Sequence, residues 1–186
     1  MSFNDNHIVS LQVMVAQIGA RHHYAIPRML EKEGCLEAFY TDANAVKGLG
    51  RLLASLPILK SRGSLKNLAQ RRPQGVPLSK IRHTDALLKR RIMGNLGLAP
   101  PYEGYIADDH LFDEIIASRG FGKADMLYAM QKHGTKMLEA AQAAGVRTVV
   151  DVFITPLAHH IVEQERDQFP DIEAPMTDRS SFELED

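Results

Sequence analysis

Apolar positions fall into two kinds of stretch along the 186-residue chain, short continuous runs and longer stretches of helical spacing. HIVSLQVMVAQ (7–17) is mostly apolar, as expected of a strand buried on both faces of a parallel sheet. YAIPRMLEKEG (24–34) places Ile26, Met29 and Leu30 on one helical face. Pro27 suits a first turn, where a missing N–H costs nothing, and Gly34 is a C-terminal stop. LEAFY (36–40) reads as a second strand, so the opening third predicts one β-α-β unit.

The second half alternates in the same way. HLFDEIIASRG (110–120) predicts a helix and ADMLYAM (124–130) a strand. GTKMLEAAQAAG (134–145) predicts a helix with Met137, Leu138 and Ala141 inward and Gly145 as its stop. VRTVVDVF (146–153) is a β-branched strand, and PLAHHIVEQERDQF (156–169) is a helix opened by Pro156. The middle is different. GLGRLLASLPILKSRG is an amphipathic stretch broken at Pro57, and PLSKIRHTDALLKRRIMG predicts one helix with Ile81, Leu88 and Ile92 aligned. The expected fold is α/β, a Rossmann-like parallel sheet with helices on both faces and a basic helical insertion over 43–100. Residues 1–173 form the expected domain, and 174–186 are an acidic tail or the start of a linker.

Charge adds a polarity that the net value of −1 conceals. Residues 47–100 hold 12 Lys and Arg against the single Asp85, whereas 101–186 hold 7 against 17 acidic residues. A basic middle implies an anionic partner or an internal match to the acidic third. It lacks Phe, Tyr and Trp from 41 to 101, which argues against nucleic acid stacking on this segment. The lone Cys35 permits no intramolecular disulfide, reads as a small buried residue and suits a reducing cytoplasm. MSFNDNHIVS has no basic stretch followed by an apolar core, so no signal peptide is expected. No apolar run nears the roughly 18 residues of a spanning helix.

Two stretches carry candidate chemistry. Ligands of open parallel sheets bind at the carboxyl ends of strands, and Gly19 falls at such an end. Without a Cβ it lets a ligand approach the backbone, and the amides opening the next helix suit an anion. Ala20, Arg21, His22 and His23 follow, with Arg21 adding a planar donor fork. The competing reading is a tight turn with solvated polar residues behind it. Neither G-x-G-x-x-G nor a Walker loop is present. In DVFITPLAHHIVEQE (151–165), Asp151 ends a strand and His159, His160, Glu163 and Glu165 follow on a helix, where His160 and Glu163 are close enough to pair. H-E-x-x-H is absent and a four-ligand set is missing, so no metal is expected. Gly120 and Gly122 precede a strand, the wrong side for a phosphate cradle, and read as a turn.

QIGARHHYAIPRMLEKEGCLEAFYTD and DVFITPLAHHIVEQERDQFPDIE resemble the N-terminal half of a bacterial family 4 glycosyltransferase of the GT-B fold, and the intervening strand-helix-strand pattern is similar, over residues 8–173. The resemblance implies an acceptor-side Rossmann-like domain facing a donor-binding one, with a nucleotide sugar as co-substrate and no resident cofactor. It assigns the donor diphosphate to Gly19 and Ala20 and gives His159 or His160 the contact with the donor sugar; Arg21, His22, His23, Asp151 and Glu165 are further candidate substrate contacts from their position and residue type. Two such domains need about 300 residues, so the donor half is expected beyond this sequence or in another chain. Acceptor and donor sugar stay open. A non-catalytic phosphate- or sugar-binding module, or a basic nucleic-acid-binding protein, are the other classes. Lys80, Arg82, Lys89, Arg90 and Arg91, with the leucines near residue 50, are candidate contacts to an anionic membrane, which would put the domain at its inner face.

Overall fold

The computed structural model describes residues 11–56, 63–98, 105–130, 135–152 and 156–169. Among these residues five parallel strands form one sheet in the order β3-β2-β1-β4-β5. They are β1 (Val13–Gln17), β2 (Leu36–Thr41), β3 (Ile81–His83), β4 (Met126–Met130) and β5 (Arg147–Asp151). The described helices are α1 (Ala25–Lys32), α2 (Gly48–Ser55), α3 (Gly63–Gln70), α4 (Ala86–Asn95), α5 (Tyr105–Arg119), α6 (Thr135–Ala143) and α7 (Pro156–Gln168). This is the expected α/β Rossmann-like architecture. Among the described residues no helix is long and apolar enough to cross a membrane.

Every residue of β1 is buried, because the strand is central and its two faces feed separate cores. Alternation sends Met14 and Ala16 to one side, where Phe112 and Ile116 of α5 and Met137 and Ala141 of α6 meet them. Val13 and Val15 point to the other side, against Tyr24, Phe39, Val76 and partly buried Ile26 and Leu30 of α1. The register of β1 on β2 slips between Val13 and Met14, which pair with Leu36 and Ala38. Glu37 is the extra residue, so Leu36 and Phe39 both reach the second core despite their odd spacing.

Several expectations change in detail. Ile26 and Leu30 pack inward as an i, i+4 pair, but Met29 is 60% exposed. The single helix expected from Pro77 to Gly94 is instead β3 followed by α4. Ile81 pairs beside Phe39, and Thr84 Oγ1 accepts the Ala86 amide where α4 begins. Leu87 is the buried residue of α4, while Leu88 and Ile92 are only half-buried. The described part of 43–100 thus holds α2, α3 and α4 and also contributes an edge strand. Cys35 is half-buried rather than buried, its Sγ donating 3.4 Å to the Glu33 carbonyl. Met137 and Ala141 are buried as expected, with Leu138 packed beside them. The break at Pro57 and the 174–186 tail lie outside the described residues.

Candidate functional site at the carboxyl edge

The strand order reverses direction at β1, since β2 and β3 lie to one side of it and β4 and β5 to the other. In doubly wound sheets the ligand crevice opens at this switch, outside the strand carboxyl ends. The loop leaving β1 there is Ile18–Tyr24. Gly19 has φ +77°, a left-handed conformation that glycine adopts without strain, and apart from its chain neighbours nothing lies within 4 Å of where its Cβ would be. His22, His23 and Tyr24 continue in the left-handed region at φ 48°, 50° and 61°. For such residues that conformation costs about 1 kcal/mol or more each and needs outside support.

The support is visible on the inner side of the loop. Gln17 is fully buried, and its Nε2 donates to the carbonyls of Gly19 and Arg21, both at 3.0 Å. The His23 amide donates to the Ala20 carbonyl at 3.0 Å. Tyr24 is buried with its ring edge-on to Phe39, centroids 5.7 Å apart. Burial pushes its hydroxyl well above the ordinary tyrosine range; the nearby Asp42 carboxylate adds to this and Arg71 opposes it. With Tyr24 drawn inward, Arg21, His22 and His23 are left exposed on the outer side.

A second layer comes from the loop after β2. Asp42 is buried, and its Oδ1 accepts the Gly19 amide at 2.9 Å and the Thr41 hydroxyl at 3.3 Å. Its Oδ2 accepts Arg71 Nη1 at 2.6 Å. Asn44, also buried, donates to the Asp42 carbonyl and accepts the Val46 and Lys47 amides at 3.0 Å, closing the turn. Further along the edge, Asp85 Oδ2 accepts the Leu49 amide at 2.8 Å at the start of α2 and lies 3.6 Å from His83 Nε2. Gly48 lets these groups come close, since a Cβ there would sit 2.3 Å from both.

The Gly19 amide is already donated to Asp42 and is not available to a ligand. An anion at this edge would meet the side chains of Arg21, His22 and His23 and the open flank of Gly19. Asp151 also has a partner in place, because the Tyr128 hydroxyl donates to its Oδ2 at 2.5 Å. Tyr128 is pushed up to about 12, first by burial and then by that bond. Asp151 therefore ties β5 to β4. His160 and Glu165 are exposed on α7, which follows β5, two strand positions from β1. The His159 and Glu163 side chains lie outside the described residues. Among the described residues no group of three or more His, Cys, Asp or Glu could hold a metal ion.

Of the basic candidates, Lys80 pairs with Glu31 at 2.7 Å, and Arg91 with Asp108 of α5. Arg82 and Lys89 are exposed and Arg90 is half-buried. Sequence reasoning missed Gln17, Asp42, Asn44 and Arg71. The first three carried a signal: a polar residue closing an apolar strand, and D-x-N directly after the next strand. Arg71, 29 residues beyond Asp42, carried none.

Fold and edge define the class, an α/β protein with a Rossmann-like sheet and a braced polar loop at the switch point. No protein-family model, curated protein or solved structure matches the chain.

Proposed function

We propose that the chain is the acceptor-side domain of a GT-B-type glycosyltransferase that uses a nucleotide-sugar donor. The observation that carries this reading is the turn from Gly19 to Tyr24, left-handed at Gly19, His22, His23 and Tyr24 and held from beneath by Gln17. Strain maintained by buried side chains suits a loop whose outer face must be preorganised. That face combines an approachable backbone at Gly19 with a guanidinium and two imidazoles, a donor set suited to a diphosphate. His159 or His160, at the start of α7, supplies the sugar-side contact. Transfer then needs a facing domain to hold the nucleotide, because one sheet offers one ligand edge. The exposed Arg51 and Leu52 of α2 and Leu56 just after it, with Lys89, Met93, Leu96 and Leu98 in and after α4, suit contact with an anionic membrane carrying the acceptor.

Amide chemical-shift mapping of the full chain against UDP- and GDP-sugars tests the donor contact. Weak, saturable shifts centred on residues 18–24 are expected. Gly19→Asn, which tolerates a left-handed φ while adding a side chain on the open flank, should abolish them with the fold intact. Gly19→Val cannot serve, since its branched Cβ would strain that φ regardless of ligand. Shifts absent from the loop, or unchanged in Gly19→Asn, would refute the reading. Tight binding by this chain alone would refute the need for a facing domain.

A further inference from the structure

The two edges of the sheet are built differently. β3 is three residues long with Arg82 exposed on it, a short and charged edge that resists pairing. β5 is five residues long, RTVVD, and its Val149 and Val150 point to opposite faces yet are 40% and 41% exposed. Val152, just beyond, is exposed as well. The centre of β5, Thr148–Val150, is β-branched and free of charge, proline and bulge, and its two charges lie only at the strand ends, so this edge is a template for another strand.

We propose that β5 pairs antiparallel with β5 of a second copy of this chain, about a two-fold axis at Val149. Two independent features select that partner and register. The first is backbone parity. The Arg147 amide donates inward to the Asp125 carbonyl at 3.1 Å, so Arg147, Val149 and Asp151 direct their polar backbone groups toward β4. Thr148 and Val150 direct theirs outward. A two-fold at Val149 sets Thr148 opposite Val150 of the second copy, and the reverse, so both outward residues form hydrogen-bonded pairs. The second is charge. The same register sets Arg147 opposite Asp151, twice, at non-hydrogen-bonded positions where side chains approach most closely. Shifting the axis to Thr148 or to Val150 keeps the parity but faces Arg147 or Asp151 with Val149. Tyr128 holds one oxygen of Asp151, fixing the carboxylate at the strand end. The product is one continuous ten-stranded sheet with isologous pairing. This inference does not rest on the glycosyltransferase reading, since it uses the backbone and end charges of β5 and no ligand.

Sedimentation velocity of the full chain across a concentration series tests it. A monomer–dimer equilibrium is expected. Val150→Pro removes an outward donor and leaves the β4–β5 ladder whole, so it should give monomer with unchanged circular dichroism. Arg147→Asp and Asp151→Arg should each raise the dissociation constant about tenfold or more, through like charges at both pairs. Mixing those two variants should restore a heterodimer, because every facing pair is again opposite in sign. In a Cys35→Ser background, Val149→Cys should form a symmetric intermolecular disulfide on oxidation. A wild-type chain that stays monomeric at every concentration overturns the proposal. So does a dimer indifferent to Val150→Pro and to both charge reversals.

Discussion

Replacing Asp42 by alanine should destabilise the chain by about 2–3 kcal/mol without disturbing either hydrophobic core. Two losses make up that figure. The Gly19 amide loses its acceptor at a partly buried site, which costs about 1 kcal/mol. Arg71 loses its counter-ion. A fully buried pair broken on one side costs roughly 3–5 kcal/mol, but the Arg71 side chain is 28% exposed while that of Asp42 is 5% exposed, so water recovers much of the guanidinium's cost and about 1–2 kcal/mol remains. Asp42→Asn keeps an oxygen for Gly19 but turns an NH2 donor toward Arg71, so the ion pair is still lost and about 1–2 kcal/mol is expected. Urea unfolding followed by circular dichroism reads both as shifts in midpoint at constant m-value. A double-mutant cycle with Arg71→Met isolates the ion pair, with a coupling of roughly 1–2 kcal/mol. Asp42→Ala within about 0.5 kcal/mol of wild type, a change typical of an inert surface site, would refute the reasoning. So would strict additivity with Arg71→Met.

Two further outcomes follow from the charged and titrating groups. Tyr128 holds its proton more tightly folded, at about 12, than unfolded, so its contribution is complete below the ordinary tyrosine pKa of about 10 and is lost as pH rises toward 12. Alkaline unfolding midpoints should therefore fall over that window, less steeply in Tyr128→Phe, and equal slopes would exclude Tyr128 as a cause. Co-sedimentation should show the chain on anionic vesicles, scarcely on neutral ones, and released by salt. Lys89→Glu should weaken binding more than Lys80→Glu, because Lys80 is held by Glu31; equal recovery with and without anionic lipid would remove the membrane.

The elements legible in the sequence were those whose burial is expressed locally. β1, β2 and β4 are mostly apolar runs because both faces of a parallel strand are covered, and α6 stops at Ala143, with the expected Gly145 in the left-handed region just beyond it. β3 was illegible for a physical reason. Three residues cannot display a period, and Ile81 also fits a helical spacing with Leu88 and Ile92; what decides the matter is the β2 edge waiting beside it. The site shows the same division. Gly19 and the exposed Arg21, His22 and His23 could be chosen from type and position. The residues that hold them could not, because Arg71 reaches Asp42 only through the tertiary fold. Asp151 was legible as a strand end but not as a partner of Tyr128, since two residues on neighbouring strands share no local pattern. Lys80 and Arg91 stood out as cations in a basic run, and their carboxylates come from α1 and α5.

The central position of β1 has a consequence for synthesis. On one side β1 pairs with β2, Val13 opposite Leu36, and that partner leaves the ribosome soon after it. On the other side Val13 faces Met126, more than a hundred residues later. At about 5–20 residues per second, β1 waits roughly 6–20 s with one edge unpaired. Meanwhile the residues being made are the leucine-rich, basic ones between the two halves of the sheet. During that interval the nascent chain exposes an apolar strand edge and a cationic segment together. Holding factors that mask strand edges during translation, rather than assistance after release, should therefore set the yield of soluble chain.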